Sequence, residues 1–128
     1  MFTFQTFQPG SRLGGITDVI DTPTLDRWRK LYPWDEAVGA EAPAGMVAPI
    51  IMRAYMKVVA PRPPGNIHAR QVIELSACPN LGETIHTEIF CMAKQIKNER
   101  RHVTLESISS GDAGRRLFSA RLHLIWAV

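Results

Sequence analysis

The sequence predicts an α+β fold in which one curved antiparallel sheet wraps a single central helix. Three observations carry this. The stretch Met46–Ala60 is apolar almost all round, with Arg53 and Lys57 as its only charges, so it belongs in an interior. Everything after Gly65 reads as four long strand segments separated by turn residues. The last of them alternates Phe118, Ala120, Leu122, Leu124 and Trp126 with Ser119, Arg121 and His123, the pattern of a strand buried on one face. A helix apolar on every side needs an apolar surface around it, and a strongly curved sheet supplies one.

In chain order, Phe2, Phe4 and Phe7 stand among polar residues and read either as a short edge strand or as an arm docked onto the body, ended by Pro9 and Gly10. Thr22-Pro23 opens a helix, because threonine caps free amides and proline is preorganised for the first helical turn. Leu25, Trp28, Leu31 and Tyr32 follow at helical spacing and place that helix over Pro23–Tyr32, stopped by Pro33. Pro33–Gly45 (PWDEAVGAEAPAG) is rich in Pro, Gly and Ala and reads as a surface loop. The central helix follows over Met46–Ala60, with Pro49 in its first turn and PRPP (Pro61–Pro64) ending it. The strand segments are Asn66–Cys78, Thr84–Lys97, Arg101–Ser110 and Arg115–Val128. Neither a repeat nor an interdomain linker is visible, and 128 residues suit a single domain spanning 1–128.

Composition excludes several classes. With 45% hydrophobic and 21% charged residues the chain is neither disordered nor fibrous. Its longest uncharged stretches, Met1–Ser11 and Ala42–Met52, fall short of the ~20 apolar residues that a membrane-spanning helix needs. The start MFTFQTFQPGSR lacks the basic lead and apolar block of a secretory signal, so a soluble, cytoplasmic protein is expected. Cys78 and Cys91 are too few for a disulfide scaffold and have no further ligands at metal-site spacing; both are expected reduced and packed, and no metal is expected. Fifteen Lys+Arg against twelve Asp+Glu leave a charge of +3, too mild to imply nucleic acid.

The geometry of a curved sheet around one helix is that of a hotdog domain, and three segments carry a closer likeness. APAGMVAPIIMRAY (Ala42–Tyr55) is similar to the Ala-Pro-containing start of the central helix in MaoC-like hotdog proteins, the hydratases and dehydratases that act on acyl thioesters. NIHARQVIELSACPNLGETI (Asn66–Ile85) resembles the family strand that begins with a histidine, runs to a proline and ends in a Gly-acid-Thr turn, here Gly82-Glu83-Thr84. VTLESISSGDAGRRLFSARLHLIWA (Val103–Ala127) resembles the last two family strands around their turn. The resemblance covers Thr22–Val128.

The resemblance implies a homodimer, a heteromeric hotdog pair or a double hotdog, its sheets joined edge to edge, with acyl-CoA or acyl carrier protein as ligand. Coenzyme A or phosphopantetheine would enter as part of the substrate, and no separate cofactor is implied. The start of the central helix would point free amides and the positive end of its dipole at the thioester carbonyl. Met46, Val47, Ala48, Pro49 and Ile50 stand at that point, either as substrate-binding residues or as plain core. His68 matches the strand-start histidine and either lines the pocket or is a structural, hydrogen-bonded residue.

One departure matters. Active MaoC-like hydratases carry an Asp followed a few residues later by a His just before the central helix, whereas PWDEAVGAEAPAG offers Asp35, Glu36 and Glu41 but no histidine. Histidine suits general-base work because its ordinary pKa lies near neutrality. The chain therefore resembles the non-catalytic subunits of heteromeric dehydratases, or the non-catalytic half of a double hotdog: an acyl-thioester-binding protein without a complete dyad. The alternatives are an active hydratase, dehydratase or thioesterase that uses Asp35 as base, and a non-enzymatic acyl carrier.

The remaining candidates read as follows. Lys94, Lys97, Arg100 and Arg101, with Arg115 and Arg116 nearby, would gather at one end of the sheet. Lys97, Arg100 and Arg101 are the candidates for coenzyme A phosphates or the acidic face of a carrier protein; solvated hairpin ends explain them equally. No aromatic residues interleave with these charges as stacking platforms, which argues against nucleic acid. His86, His102 and His123 have no acid partner in sequence. Trp28, Trp34 and Trp126 read as core or interface, with Trp34 alternatively covering a pocket mouth.

Overall fold

A computed structural model describes residues 1–36 and 39–128. Its elements are β1 (Arg12–Val19), α1 (Thr22–Leu31), α2 (Val47–Val58), β2 (Ile67–Leu75), β3 (Thr84–Lys97), β4 (Arg100–Ser110) and β5 (Arg116–Trp126). The strands form one antiparallel sheet in the order β1-β3-β4-β5-β2, and α2 packs on its inner face against β1 and β3. This is the expected hotdog architecture.

The core lies between that face and the helix. Ile51 and Ala54 from the helix, with Val59 just beyond its end, meet a floor that includes Ile85, Ile89, Leu105, Leu122 and Leu124, all buried. Two buried hydroxyls in the floor, Thr87 Oγ1 and Ser109 Oγ, satisfy each other at 2.8 Å. The helix ends at Val58, short of the expected Ala60, and the Arg62 guanidinium donates to the carbonyls of Met56 (2.8 Å) and Val59 (2.7 Å) at that end. It is also less enclosed than expected. Arg53, Met56 and Lys57 are exposed, because the sheet covers one side of α2 and leaves the other open.

Three local expectations change. β1 was not anticipated: RLGGITDV contains two glycines and no strong alternation, yet it pairs with β3 from Arg12↔Phe90 to Val19↔Thr84. Gly14 lets the helix cross the strand closely, since a Cβ on it would stand 3.1 Å from Val58 Cγ1. The amino-terminal residues form the docked arm rather than an edge strand: a single helical turn, Phe4–Thr6, buries Phe4, and Phe7 meets Trp126 edge-on at 4.9 Å. The cap of α1 is Asp21, not Thr22; its Oδ1 accepts from the Thr24 amide at 2.9 Å, and hydrogen bonding from the Thr24 side chain and amide holds its carboxyl below the usual range.

The Gly82-Glu83-Thr84 turn is locked by a buried acid. Glu83 accepts from the amides of Asn80 and Asp112, both at 2.9 Å, and from Nε and Nη2 of Arg115. It thereby ties the β2–β3 connection to the β4–β5 turn. The Arg115 hydrogen bonds, with the backbone amides behind them, lower its carboxyl from 4.5 to about 2. Cys78 and Cys91 are free thiols pushed up by burial.

Candidate functional site

The loop carboxylate meets the start of the central helix. A single turn, Ala44–Met46, leads into α2, and Asp35 Oδ2 accepts there from the Gly45 amide (3.2 Å) and from the Trp28 indole Nε1 (2.9 Å). Two N–H donors from separate elements thus converge on one oxygen. Glycine is required at position 45, because a Cβ would fall on Asp35 Oδ2 and on the Trp28 ring.

Beside this point, β1, α1 and α2 enclose a groove of 270 Å³. Ile20, Trp28, Leu31, Met46, Pro49 and Ile50 give it an apolar wall, and its polar members are Asp18, Thr24, Arg27 and Arg53. Asp18 and Arg53 form an ion pair at 2.9 Å that fixes the groove between β1 and α2. A second concavity, of 510 Å³, lies on the outer face of the sheet, with Arg70, Arg121 and His123 beside Glu74 and Glu106, away from the helix.

The structure gathers some of the expected site residues and separates others. Met46, Pro49 and Ile50 line the groove, whereas Val47 is buried in the core and Ala48 is not part of the wall. His68 is exposed on β2 with its ring 6.2 Å from that of Tyr55, toward the other end of α2; burial lowers its pKa. The basic residues lie still farther away. Thr84 of β3 pairs with Val19 at the groove, and Lys97 ends the same strand thirteen residues on, roughly 43 Å at strand rise. Lys97 and Arg100 flank the Asn98-Glu99 turn, whose residues both have positive φ. Two other members are already engaged: Arg101 Nη1 donates to the Ala127 carbonyl at 2.9 Å, and Lys94 Nζ to the Phe4 carbonyl at 3.0 Å. Lys97 and Arg100 therefore sit at the end of the sheet opposite the groove, and Arg115 and Arg116, expected beside them, lie at the other end, where Arg115 pairs with Glu83.

Trp126 is core, its Nε1 donating to the Phe2 carbonyl at 2.8 Å, whereas Trp34 is 76% exposed and stands edge-on to Tyr32 at 6.1 Å. His86, His102 and His123 alternate with buried neighbours and face the outer side of the sheet. Among the described residues no group of three His, Cys, Asp or Glu stands close enough to hold a metal, and no helix is long and apolar enough to cross a membrane. Sequence reasoning missed Ile20 and the part that Trp28 and Leu31 play in the groove. The helical spacing of Trp28 and Leu31 was legible, but it reads the same for a core face and a groove wall.

Comparison with solved structures agrees with this fold. A MaoC-like dehydratase from Rhodospirillum rubrum matches over 100% of this chain and 99% of its own, at 15% identity and a TM-score of 0.83. The R-hydratase PhaJ1 from Pseudomonas aeruginosa matches over 97% and 84%, at 16% identity and 0.75. A chain of the ChsH1–ChsH2 complex from Mycobacterium tuberculosis matches over 94% and 98%, at 9% identity and 0.73. The chain shares the hotdog fold of these proteins. No family model and no curated protein matches its sequence.

Proposed function

We propose that the protein binds an acyl thioester, with the acyl chain in the groove of α1, α2 and β1 and the thioester carbonyl at the start of α2. The observation that carries this is the convergence of the Gly45 amide and the Trp28 indole on one oxygen beside an apolar groove. Asp35 Oδ2 marks where a carbonyl oxygen would sit, polarised by two donors and the helix dipole, and Asp35 would swing aside as the ligand enters. The segment before α2 holds no histidine, so the chain acts as the binding member of a hydratase or dehydratase pair, and a dyad-bearing hotdog partner supplies the acid and base. Within one chain Lys97 and Arg100 are too far from this groove to meet the phosphates of the same ligand, so this reading assigns them no contact. The site of action is the cytoplasm.

The pure protein is expected to leave crotonyl-CoA unhydrated and to release no thiol from acyl-CoAs, while gaining hydration activity with a dyad-bearing partner. Hydration by the pure protein, abolished in Asp35→Asn, would instead show that Asp35 acts as base; this second reading is favoured by the place of Asp35 at the site. Release of free thiol would point to thioester hydrolysis, an activity named for other matched hotdog structures. The groove has its own check. Leu31 is exposed on its wall, so Leu31→Glu should leave the melting temperature unchanged yet weaken acyl-CoA binding about tenfold, as burying a charge against an alkyl chain demands. Equal affinities by calorimetry would place the acyl chain elsewhere.

A further inference from the structure

The end of α1 carries a contiguous apolar patch that none of the described residues covers. Leu31 is 67% exposed, Tyr32 41% and Trp34 76%, and an exposed patch of large apolar side chains marks a contact site. Its rings form a ladder. Those of Trp28 and Tyr32 lie 4.4 Å apart at 40°, and Tyr32 meets Trp34 edge-on at 6.1 Å. The inner rung is the indole whose Nε1 donates to Asp35 Oδ2, and the outer rung leaves an aromatic face open to solvent. Cations stand beside the ladder. Arg29 and Lys30 fill the last turn of α1, and among the described residues neither enters an ion pair. That position suits the helix dipole, which accounts for the charges but not for the exposed tryptophan next to them. Arg29 also lines a concavity of 360 Å³ with Pro33, Asp35 and Glu36.

Resting on the thioester placement proposed above, we infer that this ladder holds the nucleotide of coenzyme A, with adenine stacked on Trp34 and the phosphates on Arg29 and Lys30. The ligand is then an acyl-CoA rather than an acyl carrier protein, whose phosphopantetheine carries no base. The chemistry of an adenine nucleotide matches the patch group by group. Its base presents a π face to the open indole. Its phosphates suit an unpaired guanidinium and ammonium. Its exocyclic amine donates, and the Glu36 carboxylate beside Arg29 accepts. The pantetheine arm is longer than the two ring steps from Trp28 to Trp34, so the nucleotide folds back onto the ladder while the thioester stays at Gly45. This puts cations for the phosphates beside the groove, where Lys97 and Arg100 do not reach.

Calorimetry with separate probes tests this. Butyryl-CoA carries both parts, S-butyryl-pantetheine keeps the thioester without the nucleotide, and adenosine 3′,5′-bisphosphate keeps the nucleotide without the thioester. Wild type is expected to bind butyryl-CoA at least about tenfold more tightly than S-butyryl-pantetheine. Trp34→Ala should remove that advantage, about tenfold for one lost base stack, and leave S-butyryl-pantetheine unchanged, whereas Trp34→Phe should keep most of it. Arg29→Gln/Lys30→Gln should weaken butyryl-CoA and the bisphosphate about tenfold and flatten their salt dependence. All three side chains are exposed, and unchanged circular dichroism would confirm folding. Equal wild-type affinities for the two thioesters, or butyryl-CoA binding that Trp34→Ala leaves intact, would overturn the inference. So would a Trp34→Ala variant that loses only the hydration gained with a dyad-bearing partner, since the patch is then a protein-docking face. Bisphosphate binding that Trp34→Ala weakens, in a protein that ignores S-butyryl-pantetheine, would sustain the nucleotide site and sink the acyl groove instead.

Discussion

Glu83→Ala is expected to lower the unfolding free energy by about 3 kcal/mol, because it orphans two backbone amides and removes the carboxylate from a paired guanidinium. Glu83 is 5% exposed and joins two connections far apart in sequence, so water cannot readily replace it. The same pair makes stability depend on acid. The folded carboxyl, held at about 2 against an ordinary 4.5, favours the folded state fully above pH 4.5, and this contribution is lost as the pH falls toward 2. Wild type should therefore soften between pH 4.5 and 2 more than Glu83→Gln, whose side chain does not titrate. Urea titrations at pH 7 and pH 3 read both effects, and equal losses in the two proteins would remove Glu83 as the cause. Gly111→Ala offers a steric counterpart, since its Cβ would fall on the Glu83 carboxylate.

Gly45→Ala is expected to reduce acyl-CoA affinity about a hundredfold, the scale of effect produced by displacing a positioned group by about 1 Å. The added methyl would overlap both Asp35 Oδ2 and the Trp28 ring, so α1, the loop acid and the helix start cannot keep their arrangement. Asp35→Asn provides the contrast. An amide oxygen still accepts from the indole and the Gly45 amide, so the geometry should persist and ligand binding should stay within a few-fold of wild type. Trp28 fluorescence gives a readout at the site itself. If Gly45→Ala binds acyl-CoA as wild type does, the start of α2 is not where the thioester sits.

The strands and the central helix were legible because hydrophobic periodicity is a local property of the chain. The alternation of β5 and the apolar run before Pro61 needed nothing beyond their own residues. β1 escaped because Gly14 and Gly15 erase the pattern, and the need for Gly14 comes from Val58, a neighbour only in space. The open side of α2 escaped for a related reason: its sequence shows that it is apolar, not how many strands arrive to cover it.

The candidate site divides along the same line. The helix start and the missing histidine were read from PWDEAVGAEAPAG directly, and the structure places Met46, Pro49 and Ile50 on the groove. It separates them from His68 and from the Lys97–Arg101 end, which no spacing rule foretells, since strand length sets that distance. By itself, then, the sequence determined two helices, a set of antiparallel strands and a segment without histidine. Tertiary structure alone decided that Asp35 meets Gly45 and Trp28, that Glu83 is buried on Arg115, and that β2 lies at the edge. The physical reason is that a side chain's periodicity is written along the chain, whereas its partner is chosen by packing across it.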